Sequence, residues 1–241
     1  YLTMKMHKMI NKAKIYPLYK EFYHGKGLDS EEALADLYRF SIFYDQLIHA
    51  ETGIQELNPI LRHINAMDSR VVYPYFFMML EMASTGEVSQ DDVVEVARIM
   101  ESYLFRLKVC QLPTNGLNRT VIALCDKTKA AGDYRARLVS LLNTSFPDDK
   151  KFADSLMNVN LYSLRNNLAK LALVVLEESR TKETIDFDDA QVEHIMPQRL
   201  NNDWRIELPN ANRINEELGG VIGNLTLTKY NQEMGNKVFS E

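Results

Sequence analysis

The chain has 241 residues, of which 46% are hydrophobic and 25% are charged, and its formal net charge is −5. This length predicts one large domain or two unequal domains, and the composition is that of an ordinary globular protein. The negative net charge argues against a uniformly basic surface, which is the commonest mark of a duplex-binding protein. Any contact with nucleic acid would therefore have to rest on local groups of basic residues.

The sequence contains no segment that predicts membrane insertion or secretion. The longest apolar run, from Leu171 to Leu176, is too short to cross a bilayer. No N-terminal stretch combines a basic start, an apolar centre and a cleavage site. We therefore expect no membrane contact and a cytoplasmic location. The two cysteines, Cys110 and Cys125, are expected to be buried free thiols, because no CxxC pair is present.

From residue 1 to residue 182 the apolar pattern is helical and is interrupted by short turns. Asp29 and Glu32 have the spacing of a capping box, and Ser89 and Asp92 have a looser version of it. The apolar residues that follow Asp92 fall on one helical face: Val93, Val96, Ala97, Met100, Tyr103, Leu104 and Leu107. A similar face is predicted from Leu161, Leu164, Leu168, Leu171, Val175 and Leu176. The sequence predicts a mainly α fold, with a helical domain over residues 1–182.

Residues 183–241 differ in character. Residues 184–187 and 192–195 are short β-prone stretches, and Pro197 prevents a helix from continuing through the second. The polar, Asn-rich segment 198–219 has the composition of a long loop, and residues 221–228 suit a half-buried strand. Residues 229–241 have apolar residues four apart and predict a helix. The predicted order is strand, long loop, strand, helix.

This last segment contains the residue types that phosphodiester hydrolysis requires. The reaction needs a base that activates water and a cation that stabilises the charge developing on the leaving oxygen. Histidine suits the first task, because its ordinary pKa of about 6.5 leaves it mostly neutral. Mg²⁺ accepts carboxylate and amide oxygens as ligands. The segment supplies Glu193 and His194, then Asn224, then Asn231.

Two strings in this segment resemble a known family. VEHIMPQ, at residues 192–198, and IGNLTLTKYNQEMGNKVFSE, at residues 222–241, closely resemble the C-terminal nuclease domain of the GmrSD-type restriction endonucleases. The signature of that domain is a His-Ile-x-Pro strand, then Gly-Asn-Leu-Thr-Leu, then a helix that carries Asn. Residues 101–106 and 112–118 also look like the region that precedes this motif in the family. The resemblance implies a small ββα-metal (HNH-like) nuclease module over residues 183–241.

The resemblance also implies roles for single residues. His194 matches the general base, and Asn224 matches the residue that ties the loop to the strand and orients the histidine, so both are assigned to the catalytic group. Glu193 and Asn231 match the metal ligands, and the ion is Mg²⁺ or Mn²⁺. Asn236 is a second candidate ligand, but five residues along a helix turn it away from the side of Asn231.

The partners and the setting follow from the same resemblance. DNA is the expected substrate, in particular modified phage DNA, and Arg199, Lys229 and Lys237 are the expected contacts to its phosphates. In the family, a nucleotide-dependent sensor domain precedes the nuclease, and we expect the chain to be a C-terminal fragment of such a restriction and antiviral defence protein. A homo-oligomer is compatible with this expectation.

Each of these residues also has a structural explanation. His194 could be a packed histidine, Asn224 could serve a tight turn, and Asn231 could cap the last helix. A degenerate module could act as a non-catalytic scaffold that binds DNA or docks a subunit, and the same site could cleave RNA as a toxin. The sequence has no GxxxxGK[ST], GxGxxG, HExxH or GxSxG motif, so nucleotide hydrolysis, dinucleotide binding, zinc proteolysis and serine hydrolysis have no local support. The remaining histidines are interpreted as structural: His7, His24, His49 and His63.

Overall fold

The computed structural model describes residues 1–126, 133–181 and 189–228. Two compact units divide the chain, the first formed by Tyr1–Leu107 and Leu112–Phe146 and the second by Lys108–Gln111 and Pro147–Glu241. The described part is mainly helical, as predicted, and contains a two-stranded sheet. The boundary predicted between residues 182 and 183 lies outside the described part, and it stays a prediction.

The first unit is built from helices. They are α1 (Leu2–Met6), α2 (Ile15–Gly25), α3 (Ser30–His49), α4 (Leu57–Ala66), α5 (Tyr73–Thr85), α6 (Gln90–Val109, which ends in the second unit), α7 (Leu117–Leu124) and α8 (Tyr134–Leu142), with 3₁₀ turns at Lys12–Lys14 and Arg70–Val72. Helix α5 is buried on nearly all sides over residues 73–80, as expected for a stretch that is apolar all round. It contacts α1, α3 and α7 and forms the centre of this unit.

Both predicted capping boxes are confirmed. The Asp29 carboxylate accepts from the Glu32 amide at 2.9 Å, and the Glu32 carboxylate accepts from the Asp29 amide at 3.0 Å. At the start of α6, the Ser89 hydroxyl accepts from the Asp92 amide at 3.1 Å and the Asp92 carboxylate accepts from the Ser89 amide at 2.9 Å. The apolar face predicted for residues 93–107 is buried at all seven positions. These helices therefore begin and face the core where local sequence predicts.

One hydroxyl in this core is expected to be dispensable. Tyr75 is 1% exposed, and its hydroxyl has no hydrogen-bond partner among the described residues. Burial also raises the pKa of Tyr75 well above its ordinary value. An unpaired buried polar group costs about 1–3 kcal/mol. We therefore expect Tyr75→Phe to leave the free energy of unfolding unchanged or to raise it by about 1 kcal/mol, measured by urea denaturation followed by circular dichroism.

Tyr73 offers the matched control for this prediction. It lies on the same helix, but its hydroxyl donates to the Asn65 side-chain oxygen at 2.6 Å. Tyr73→Phe is expected to lower the free energy of unfolding by about 1 kcal/mol, the usual net contribution of such a bond. Equal destabilisation by the two substitutions would show that Tyr75 has a partner in solution.

The second unit contains a strand pair, helices that precede it in sequence and helices that lie between its two strands. Its elements are α9 (Asp149–Asn158), a 3₁₀ turn at Leu161–Ser163, α10 (Leu168–Thr181), β1 (Gln191–His194), α11 (Asn202–Glu207), α12 (Ala211–Leu218), a 3₁₀ turn at Ile222–Asn224 and β2 (Leu225–Thr228). The two strands are antiparallel, and α10 contacts both of them. The strand predicted at residues 192–195 is confirmed with its bounds shifted by one residue.

The expected long loop at residues 198–219 is wrong. This segment contains α11 and α12. The Asn201 side chain accepts from the Trp204 amide at 3.0 Å and so caps α11, and Trp204 is buried against Met196 and Ala211. The polar, Asn-rich composition suggested a loop because each helix has few apolar residues. The small apolar cluster that stabilises them joins residues from three separate places in the chain.

Other bounds also differ from the sequence prediction. The apolar face expected over residues 161–176 is broken, because Asn166 and Asn167 have positive φ angles of 66° and 51° and α10 begins only at Leu168. Val175 and Leu176 are exposed rather than buried. The second strand begins at Leu225 instead of residue 221, because a 3₁₀ turn occupies residues 222–224.

Several smaller expectations have mixed outcomes. Both cysteines are free, and Cys125 is buried as expected, but Cys110 is only partly buried. His63 is not merely packed, because its ring is hydrogen-bonded to the Glu101 carboxylate, a partner that the sequence did not indicate.

None of the helices in the described part combines the length and the apolar composition needed to cross a bilayer. The strand predicted at residues 184–187 and the helix predicted at residues 229–241 lie outside the described residues.

Candidate active site

His194 is the last residue of β1, where the sheet ends. Antiparallel pairing places it opposite Leu225, and places Glu193 opposite Thr226. Because successive side chains of a strand point to opposite faces, His194 and Leu225 share one face while Glu193 and Thr226 share the other. Leu225 is 5% exposed, so His194 lies beside a well-anchored position of the sheet.

Asn224 joins the segment after β1 to the segment before β2. Its side-chain oxygen accepts from the Met196 amide at 2.7 Å, and its side-chain nitrogen donates to the carbonyls of Met196 at 3.0 Å and Gly219 at 2.9 Å. Its own carbonyl accepts from the Ile195 amide at 2.9 Å. The Asn224 amide therefore fixes the backbone immediately after His194. Its assignment to the catalytic group stays a prediction.

A second asparagine holds the same segment from the other side. The Asn215 side chain, on α12, donates to the carbonyl of Pro197 at 2.9 Å. Pro197 itself is buried. Residues 195–197 are thus tied at three consecutive peptide units, which limits the movement of the backbone that carries His194.

Two side chains lie against the His194 ring. The Tyr162 ring is 4.4 Å away between centroids, with the two planes at 73°, an edge-to-face contact. The Gln198 side-chain nitrogen lies 3.3 Å from Nε2 of His194. Burial lowers the pKa of His194 below its ordinary value, and the neighbouring Glu193 carboxylate opposes this effect.

The lowered pKa gives a prediction for the metal-free protein. Because burial disfavours the charged imidazolium, the neutral form of His194 is expected to persist to lower pH than that of an exposed histidine. In an NMR titration without divalent ions, the His194 midpoint should lie below about 6.5, the ordinary value for histidine. A His194 midpoint at or above this ordinary value would contradict the burial seen at this ring.

The predicted metal ligands are only partly within the described residues. Glu193 is half-buried, and its carboxylate makes no hydrogen bond or ion pair to any residue that the structure describes, so its oxygens can take a ligand role. Its side chain leaves the sheet on the face opposite His194, and the described residues contain no group of three or more His, Cys, Asp or Glu that could hold an ion. Asn231 and the alternative Asn236 lie outside the described residues.

Basic residues lie close to this end of the sheet. Arg199 is exposed and lines a shallow cavity of about 270 Å³ that is open to solvent. The polar residues that line the cavity are Gln198, Arg199, Arg205, Asn212, Asn215 and Glu216. Gln198 therefore contacts both His194 and this cavity. The other two expected DNA contacts, Lys229 and Lys237, lie outside the described residues.

Sequence motifs did not identify three residues that contact the His194 ring or hold the segment after it. Gln198 follows the His-Ile-x-Pro motif directly, and its spacing of four residues from His194 could have suggested a contact. Tyr162 and Asn215 come from distant parts of the chain, and no local pattern marks them. Their contacts depend on how the turn at Leu161–Ser163 and helix α12 pack within the second unit.

The comparisons with known proteins agree with the motifs. No curated protein and no solved structure gives a match. Residues 146–241 match the family model described as GmrSD restriction endonucleases, C-terminal domain, whereas residues 101–106 and 112–118, which also resembled the family, lie outside the matched range. Over residues 146–241, which include the strand pair, His194 and Asn224, the chain therefore matches the C-terminal domain of the GmrSD restriction endonucleases, as its motifs predicted.

Proposed function

We propose that the chain is a metal-dependent DNA endonuclease of the HNH type, in which His194 is the general base. The observation that carries this proposal is the position of His194, at the end of β1, on a backbone that Asn224 and Asn215 hold in place. The match to a restriction endonuclease family supports DNA as the substrate. The burial that keeps His194 neutral favours its action as a base near neutral pH.

In the proposed reaction, His194 takes a proton from a water molecule whose oxygen attacks the scissile phosphorus. The bond from phosphorus to the 3′ oxygen breaks, and that oxygen leaves and takes a proton from solvent. Glu193 and Asn231 would hold Mg²⁺ or Mn²⁺, which supplies the positive charge that stabilises the leaving oxygen. Asn224 keeps the His194 backbone in register, and Arg199, Lys229 and Lys237 contact the phosphates of the DNA.

The proposed setting is restriction of modified phage DNA in the cytoplasm. In this proposal, a nucleotide-dependent sensor domain in the same protein recognises the modified DNA, and the nuclease module cuts it. The net charge of −5 means that binding would depend on the local basic residues beside the sheet. An HNH-like ββα module would be completed by the helix predicted at residues 229–241.

The experiment that tests the proposal is nicking of supercoiled plasmid by the purified chain. We expect nicking with Mg²⁺ or Mn²⁺, none with EDTA, and loss of nicking in His194→Ala. Metal-independent DNA binding without nicking would favour the non-catalytic scaffold. Cleavage of RNA alone would favour the toxin. Equal nicking by the unchanged chain and His194→Ala would remove His194 from the mechanism.

A further inference from the structure

The turn that precedes α10 packs against the loop that precedes β2. Leu161 is fully buried, and Asn160 caps the turn by accepting from the Ser163 amide at 3.0 Å. The Tyr162 amide donates to the carbonyl of Gly220 at 3.1 Å. We refer to residues 160–163 as the 160–163 turn. Its backbone is thus bonded to the same loop that carries Asn224.

Gly220 lies close to the Asn160 side chain. A Cβ atom at this position would lie 1.9 Å from the Asn160 side-chain oxygen and 2.3 Å from its Cγ. Real Cβ atoms do not approach other atoms so closely, so any larger residue at position 220 would displace the Asn160 side chain, which caps the 160–163 turn. Glycine leaves the room that this capping side chain occupies.

The hydrogen bond to Gly220 holds the backbone from which the Tyr162 side chain extends. The Tyr162 side chain is 45% exposed, although the neighbouring Leu161 is fully buried. Its ring lies edge-to-face against the His194 ring, and its hydroxyl makes no hydrogen bond to any residue in the described part of the chain. The ring, rather than the hydroxyl, therefore makes the contact with the site.

We propose that Tyr162 is a positioning residue of the nuclease site. Gly220 holds the Tyr162 backbone, and the Tyr162 ring restricts the rotation of the His194 imidazole so that the imidazole faces the attacking water. This inference rests on the proposed role of His194 as the base. The backbone of His194 is fixed by Asn224, but its side chain can still rotate about two bonds. Tyr162 and Gln198 limit that rotation from two directions. A catalytic group held in its productive orientation reacts faster than a mobile one.

The first test does not depend on nuclease activity. An aromatic ring 4.4 Å away shifts the NMR signals of the His194 carbon-bound protons through its ring current. These signals are assigned by their absence in His194→Gln. The unchanged chain and Tyr162→Phe should share the same signals at a fixed pH, whereas Tyr162→Ala should move them. Identical His194 signals in Tyr162→Ala and the unchanged chain would overturn the proposal.

The second test measures the consequence for nicking. Tyr162→Ala is expected to lower kcat by about 10- to 100-fold with little change in KM, because the base is misplaced while the DNA contacts remain. Tyr162→Phe keeps the aromatic ring and should retain most of the kcat of the unchanged chain. Gly220→Ala should also lower kcat, because it displaces the Asn160 side chain that caps the 160–163 turn. Tyr38→Ala, an exposed tyrosine in the first unit, is the matched control and should have no effect.

A double-mutant cycle separates positioning from a general structural effect. In a His194→Ala background, Tyr162→Ala should cost no further activity, because the residue acts through His194. The inference alone would be overturned if Tyr162→Ala lowered kcat by the same factor in the unchanged chain and in His194→Ala. It would also be overturned if Tyr162→Ala had a normal kcat while His194→Ala was inactive. Full activity of His194→Ala would instead overturn the proposed function, so the two failures are distinguishable.

Discussion

The chain with His194 replaced by alanine is expected to nick supercoiled plasmid about 10²- to 10⁴-fold more slowly than the unchanged chain, the usual loss on removal of a general acid or base. The imidazole is half-buried at the end of β1, and no other described histidine lies on this strand pair. Because the ring contacts Tyr162 and Gln198 but is not part of the core, the free energy of unfolding should change by less than about 1 kcal/mol.

Two controls make this result specific to the base. His24→Ala removes an exposed histidine from the first unit and should leave nicking unchanged. Imidazole added to the reaction should restore part of the lost activity of His194→Ala, because a small base can enter the space that the side chain leaves. Loss of activity that imidazole does not restore, together with a lowered urea midpoint, would point to a structural role for His194.

Features that depend on neighbouring residues were predicted well. The capping boxes at Asp29 and Ser89 and the buried face of α6 need only a few residues close in sequence, and all of them occur as expected. Hydrogen bonds between residues three apart and a repeat of 3.6 residues are properties of a single helix. The sequence alone therefore carries enough information for these elements.

Features that depend on packing between elements, or on the backbone conformation of a single residue, were predicted poorly. Helices α11 and α12 have low local hydrophobicity, and Trp204 is stabilised by burial against Met196 and Ala211. The predicted face over residues 161–176 failed because two asparagines with positive φ end the regular repeat before α10. Asparagine is one of the few residues that adopt this conformation, but it does so in a minority of cases. The sequence does not say which asparagine will do so.

The candidate site shows the same division. His194, Glu193 and Asn224 follow from motifs, and the strand pair brings the segments that carry them together. The residues that hold the His194 ring are Tyr162, which comes from the turn after α9, and Gln198. Only the packing of the second unit shows that Tyr162 lies there. The metal site predicted at Glu193 and Asn231 depends on residues outside the described part and stays a prediction.

Replacement of Asn224 by alanine is expected to have the largest effect on stability. The substitution removes three side-chain hydrogen bonds, one from the Met196 amide and two to the carbonyls of Met196 and Gly219. At about 1 kcal/mol net for each bond in a partly buried position, the free energy of unfolding should fall by about 2–3 kcal/mol. Nicking should fall as well, because residues 195–197 would no longer hold the His194 backbone in place.

The unfolding of this unit can be measured selectively. Trp204 is the single tryptophan of the chain, and it is buried against Met196 in the second unit. Its fluorescence in a urea titration therefore reports the unit that contains Asn224. Asn212→Ala removes an exposed asparagine of α12 and is the matched control. It should change the free energy of unfolding by less than about 0.5 kcal/mol.

Asn224→Asp tests whether the side-chain nitrogen matters. Aspartate keeps the oxygen that accepts from Met196, but it places a second oxygen beside the carbonyls of Met196 and Gly219, which accept hydrogen bonds in the unchanged chain. Two acceptors facing each other repel, so this nearly isosteric substitution should destabilise the unit at least as much as alanine does. A stable, active Asn224→Asp would show that the two donated bonds do not hold the segment after His194.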